Sequence, residues 1–438
     1  TCEKVYIVAG PEFGEKAGSI LIIYKALYGL RSSGMQWHDK FADDLRDMGF
    51  FPCKAEPDIW MRESDGLWEY IAVYVDDLAF VLRDPEAFVK LLVGKYKYKL
   101  KGTGSIAFHL GCDFFRDKDG VLCQAPKKYI EKMIDGYQNM FGEKPKTKYK
   151  SPLEGGDHPE LDQSEFLDAT GTQKYQSLIG SIQWAVSLGR LDVATAVMTL
   201  SGFRSVPRQG HLDRARRVVG YLSGMKHAVI RYRTGLPDYS DISYKRNDWE
   251  KSVYGDVKEL LPINAPEPLG APVILTHYVD ANLYHDMITG RSVTGIIHFI
   301  NQTPIDSFSK KQATCETATY GSEFVAARTC VEQIIDLRTT LRYLGVRIIG
   351  HSYMFGDNES VVNSSMKLTS KLHKEHNALS YHRVRESIAA DICQFHFLSG
   401  KHNPADVLSK HWSYNDIWKL LRPMLFWSGN TMDIPTDE

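Results

Sequence analysis

Apolar and polar positions along this chain alternate with a period that changes from region to region. Val5 and Ile7, then Ser19 to Tyr24, read as short strands. Trp37, Phe41, Leu45 and Met48 recur at spacings of four, four and three, which puts one apolar stripe on a helix ending near Gly49. From Tyr70 to Leu82 an apolar run rich in β-branched and aromatic residues is broken only by Asp76-Asp77, and it predicts two strands folded back on each other. Residues 123–235 read as mainly helical, with one helix over Lys127–Gly136 and a long helical pair from Tyr175 to Leu222. From Val273 the pattern alternates again: Ile274, Thr276, Tyr278 and Asp280 share one side of a strand. Strands are predicted over Ser292–Ile300 and Thr303–Phe308, and a long helix over about Thr317–Leu344. A strand ending at Asp357, a helix near Asn377–Ala390, a strand over Gln394–Leu398 and a last helix opened by Asp406 complete the order.

Length and composition narrow this picture. At 438 residues two or three domains are expected, and 43% apolar with 24% charged residues is the composition of a globular protein. Residues 236–272, with Pro262, Pro266, Pro268 and Pro272, carry a linker signature. No apolar run reaches transmembrane length and no secretory signal opens the chain, so no membrane association is expected. Seven scattered cysteines without a C-x-x-C argue for a reducing compartment and against zinc or a disulfide framework. The chain opens at Thr1 inside an alternating segment and reads as cut from something longer. The net charge is −1, yet Arg204 to Arg233 holds eight Lys/Arg against one acid, Asp213. Such a run is either a solvated helix face or a phosphate-binding one.

The acids carry the candidate chemistry. Adjacent aspartates at the bend of an apolar hairpin are either solvated or partnered by a divalent metal. Glu323 falls on the stripe Glu323, Ala327, Cys330, Ile334, Leu337, Leu341, Leu344, where a free carboxylate is expensive. Asp280, Glu323, Asp357 and Asp406 thus follow the order strand acid, helix acid, strand acid, helix acid. His373, His376 and His382 share a helical stretch without a nearby cysteine and read as structural.

The order Val5-Tyr6, then Ala26-Leu27-Tyr28-Gly29-Leu30-Arg31 with Trp37, then Tyr74-Val75-Asp76-Asp77 resembles the reverse transcriptase of copia-type LTR retrotransposons. Phe108-His109-Leu110-Gly111, placed where that family has its primer grip, adds to the resemblance. The spacing of the four later acids resembles the RNase H fold, and Gly400-Lys401-His402-Asn403-Pro404-Ala405-Asp406 resembles the copia-type RNase H. The resemblance implies a multidomain α+β and α/β chain. Its expected parts are a partial palm (1–122), a helical thumb or connection (123–235), a linker (236–272), an RNase H-like mixed sheet with flanking helices (273–412) and a tail (413–438). Asp76 and Asp77 would be catalytic metal ligands of the palm. Arg31 and Gln36 would line the site beneath template and nucleotide, with Lys127, Arg214 and Arg217 on phosphates. Asp280, Glu323, Asp357 and Asp406 would hold two Mg²⁺ (or Mn²⁺) for hydrolysis of the RNA strand in an RNA–DNA hybrid. His402 would contact the nucleic acid and help release product, while the residue alone reads as a loop histidine.

The resemblance also implies a primer–template partner, and a place in cytoplasmic virus-like particles or the nucleus rather than secretion. It fixes no oligomeric state. One departure is glycine at Ser33-Gly34, where the family often has proline; it loosens the positioning of Gln36. A larger one concerns the palm. The family's third carboxylate sits on an earlier strand, and Asp39, Asp43, Asp44, Asp47 and Asp58 fall on the helix or the loop after it. An incomplete polymerase site is therefore expected. The alternatives are an inactive nucleic-acid-binding remnant and a host-type RNase H with an unrelated N-terminal module.

Overall fold

A computed structural model describes residues 5–23, 30, 32–242, 247–372 and 375–426. The motif residues 25–29, Arg31 and His373 lie outside these. The chain divides into two compact units, 1–104 and 105–438.

In the first unit, β1 (Tyr6–Val8) and β2 (Ile20–Ile22) pair antiparallel. Helix α1 (Ser33–Asp47) buries Phe41 and Leu45, as the four-four-three spacing requires. Strands β3 (Phe51–Pro52), β4 (Ile59–Ser64), β5 (Leu67–Tyr74) and β6 (Asp77–Val81) form an antiparallel sheet in sequence order. Helix α2 (Pro85–Gly94) starts where Asp84 accepts from the Ala87 N–H at 2.8 Å. Phe41, Leu45, Trp60, Ile71, Val73, Phe88 and Leu92 make the core between helices and sheet.

The second unit opens with β7 (Phe108–His109), β8 (Cys112–Arg116) and β9 (Leu122–Ala125), followed by α3 (Lys127–Phe141), α4 (Ala169–Ser187), α5 (Ala194–Ser201) and α6 (Gln209–Gly224). The expected helical pair over 175–222 is three helices, because Gly189 at φ 103° ends the first and Pro207 precedes the last. Strand β10 (Ile230–Arg231) returns to β9. Strand β11 (Leu269–Val273) then leads into β12 (Leu275–Asp286), β13 (Arg291–Ile300) and β14 (Thr303–Lys311). Helix α7 (Thr319–Tyr343), β15 (Val346–Ile348), β16 (Ser352–Gly356), α8 (Glu359–Met366), α9 (Ala378–Ala389) and β17 (Cys393–Phe397) follow, then the single turn α10 (Asp406–Ser409) and α11 (Tyr414–Leu425).

The main sheet has the order β14-β13-β12-β16-β17, antiparallel on the β14 side and parallel from β12 to β17. That is the mixed sheet expected from the acid pattern. One face packs Val279, Ala281 and Met354 against Phe324, Cys330 and Ile334 of α7 and Val384 and Ile388 of α9. The other shares a core with α3–α6: Ile297 meets the group that holds Ile179, Ile182, Leu200 and Tyr221. The last helix is α11 rather than the one opened by Asp406. Its Ile417, Trp418 and Leu421 enter the same core, so residues 414–425 are a packed element and not a tail. Part of the stretch 236–272 is also packed. Trp249 is buried in the α7 side, and Glu259 holds Arg338 at 2.7 Å on the buried stripe of α7.

Candidate metal centre

Strand alternation puts Asp280 on β12 near Asp357, the residue that follows β16, and α7 carries Glu323 up to both. One carboxylate oxygen from each of Asp280, Glu323 and Asp357 lies within 4.8 Å of the others. Asp280 and Glu323 are buried, at 3% and 5% exposure, and Asp357 is half-buried. Burial pushes the Glu323 carboxyl well above its usual range, and the charges of Asp280 and Asp357 add to this. Asp357 is raised by burial and then by Asp280. Three hard oxygen donors converging in a poorly solvated place are a fitting set for a hard divalent cation, which would remove both penalties.

The fourth acid stands apart from this trio. Asp406 Oδ1 receives the Lys410 ammonium at 2.8 Å, and the same ammonium lies 3.6 Å from Asp280 Oδ2. Burial and the Asp280 charge lift Asp406 to about 7, while Lys410 pulls it down; Lys410 is itself raised by the acids around it.

The loop that brings Asp406 here depends on residues that hydrophobic periodicity did not single out. Gly295 on β13 faces Asp280 across the ladder. A Cβ there would sit 2.7 Å from Ala405 O and from the backbone of Leu408 and Ser409, so only glycine lets α10 lie on the sheet. Gly400 leaves similar room beside Asp357, 2.8 Å from its Oδ2. Asn403, fully buried, donates to Val279 O at 2.9 Å and accepts from the Ala405 N–H. Ser409 Oγ donates to Asp280 Oδ2. Cross-strand pairing to Asp280 was the available signal for Gly295; none marked Lys410.

In the first unit, Tyr74 pairs with Asp77, so Val75 and Asp76 form a two-residue turn. The expected hairpin is there, with both aspartates exposed. Val75 takes φ 56°, a strained conformation for a β-branched residue. Among the described residues no third His, Cys, Asp or Glu joins Asp76 and Asp77 at metal-ligand distance. Gln36 is half-buried on α1.

The basic run corrects an expectation. Arg214 donates to Asp157 at 2.8 Å and Asp162 at 2.7 Å, and Arg217 to Glu154 at 2.7 Å. Arg216 pairs with Glu143, Lys226 with Glu131, and Arg231 with Asp117 and Asp119. The acidic stretch from Glu154 folds back onto α6, so Arg214 and Arg217 meet carboxylates of this chain. Lys127 and His402 are exposed. His376 pairs with Glu316 at 3.1 Å and His382 with Tyr254 at 2.8 Å, a structural use.

Residues 1–149 match the reverse transcriptase (RNA-dependent DNA polymerase) family. Over 93% of its length the chain is 25% identical to the retrovirus-related Pol polyprotein from transposon TNT 1-94 of Nicotiana tabacum. A putative transposon Ty5-1 protein of Saccharomyces cerevisiae is 29% identical over 55% of the chain and 79% of its own length. The chain is thus similar to retrotransposon Pol polyproteins over almost its whole length, and to the reverse transcriptase family over its first third. It spans 28% of the tobacco polyprotein and 25% of the RE1 Pol polyprotein of Arabidopsis thaliana, to which it is 23% identical. Solved structures overlap the chain more loosely. A foamy viral protease–reverse transcriptase bound to double-stranded DNA covers 84% of it, and 49% of that protein is matched, at 12% identity and a TM-score of 0.40. RNase H1 of Halobacterium salinarum covers 32%, with 95% of its own length matched, at 12% identity and a TM-score of 0.25.

Proposed function

We propose that this chain hydrolyses the RNA strand of RNA–DNA hybrids at Asp280, Glu323, Asp357 and Asp406, and that its Asp76-Asp77 hairpin alone does not complete a polymerase site. The observation that carries the proposal is the convergence of Asp280, Glu323 and Asp357 within 4.8 Å beside a mixed five-stranded sheet. Pol relatives spanning both units support it.

Divalent ions held there, Mg²⁺ or Mn²⁺, would supply the positive charge that activates water and offsets charge developing on the scissile phosphate. The chain's own residues prepare the place. Burial holds the Glu323 carboxyl above its usual range, and a bound cation would favour its ionised form. Ser409 fixes the rotamer of Asp280, and Gly400 keeps open the side of Asp357. Asp406, half-buried on the short turn α10, would complete the set, with His402 exposed four residues earlier. Four exposed lysines, Lys144, Lys146, Lys148 and Lys150, offer phosphate contacts where the arginines of α6 are already neutralised. At the first unit, two carboxylates without a third among the described residues would leave a metal pair incompletely held.

The test runs a labelled RNA–DNA hybrid beside a primed RNA template with dNTPs, both with Mg²⁺. The chain is expected to cut the hybrid and leave the primer unextended. Intact hybrid would refute the hydrolase assignment, and efficient extension would refute the incomplete polymerase site.

A further inference from the structure

Asp280 is shared between two groups of charges. It converges with Glu323 and Asp357, with carboxylate oxygens within 4.8 Å. It also meets the Lys410 ammonium, which lies 3.6 Å from Asp280 Oδ2 and 2.8 Å from Asp406 Oδ1. A pair spaced i,i+4 on a solvated helix is common and contributes little. This pair differs in two ways. Asp406 is mostly buried, with 15% of its side chain exposed. The ammonium also reaches a second carboxylate whose rotamer Ser409 fixes. An ammonium is a compact point charge with three donors. It occupies the position from which a second cation would bridge Asp280 and Asp406. The Lys410 side chain is 39% exposed on a flexible four-carbon stem, so a path into solvent is open to it.

We infer that Lys410 is the resident cation of the second position. The trio binds one divalent ion directly, and a second enters only by displacing the Lys410 ammonium from Asp406. The inference rests on reading the acid cluster as a metal centre. It makes the two ions unequal by construction, and it frees a cation near the substrate phosphate when the second ion arrives.

The test is Mn²⁺ binding to the full chain without nucleic acid, counted by electron paramagnetic resonance and by calorimetry. The wild-type chain is expected to show one tight ion and a markedly weaker second. In Lys410→Met the second ion should bind about tenfold more tightly, because a unit charge next to its ligand is gone, with the first ion little changed. Lys410→Arg keeps the charge and should keep the weak second ion. If Lys410→Met does not fold, Lys410→Gln carries the same expectation. Two equal ions in the wild type, or a second ion indifferent to Lys410, would overturn the inference. If no ion binds, the metal-centre reading falls and takes the inference with it. If ions bind in this order and no RNA is cut, only the hydrolase reading fails.

Discussion

Glu323 shows how one residue ties sequence, packing and chemistry together. Its place on an apolar helical stripe made it conspicuous, since a carboxylate there needs a reason. The structure gives the reason as two further carboxylates within reach. With its folded pKa well above 4.5, folded Glu323 keeps a proton that the unfolded chain releases. Stability attributable to this group is therefore lost as pH rises from about 4.5 toward the folded value. In metal-free buffer, Glu323→Gln should be more stable than wild type. The difference should grow with pH across that window by at most about 1.4 kcal/mol per unit. Comparing the two proteins cancels the opposite slope from buried histidines such as His285 and His396, each lowered by burial to about 4. Saturating Mg²⁺ should reverse the order by stabilising wild type more. Parallel thermal unfolding curves at every pH would contradict the assignment.

At the scale of elements, period and spacing were enough to place the helices and strands that carry the site. The trio could be read from sequence because strand ends and a helix stripe localise Asp280, Glu323 and Asp357. The setting of Asp406 could not, because it depends on how closely a single turn approaches a strand. That approach is set by Gly295, whose substitution to Ala would put a Cβ 2.7 Å from backbone atoms of residues 405–409. Gly295→Ala should cost about 1–3 kcal/mol by overpacking and should reduce hybrid cleavage by moving Asp406 and Lys410. Unchanged cleavage would mean that α10 yields freely. The proline-rich stretch misled for a related reason. Composition marked 236–272 as a linker, while long-range partners decide otherwise: Glu259 grips Arg338, which is 3% exposed. Glu259→Ala leaves that guanidinium buried without its main partner and should destabilise the second unit by about 3 kcal/mol. A melting temperature equal to wild type would restore the linker reading. The local charge of the basic run was overcounted in the same manner, because counting along the chain cannot see Asp157 and Asp162 folding back onto Arg214.

For the whole molecule, the division into units 1–104 and 105–438 separates the two acid clusters. The Asp76-Asp77 hairpin belongs to the first unit and the acid trio to the second. The trio needs no residue of the first unit, so its chemistry should survive a defect there. Asp76→Asn with Asp77→Asn should leave hybrid cleavage unchanged. The most direct measurement of the central claim is cleavage and binding of a labelled RNA–DNA hybrid by the wild-type chain and by Asp357→Asn, in Mg²⁺. Asp357 supplies one of three converging carboxylates, so its loss should abolish cleavage while hybrid affinity and folding stay at wild-type values. Cleavage by Asp357→Asn at the wild-type rate would contradict the account.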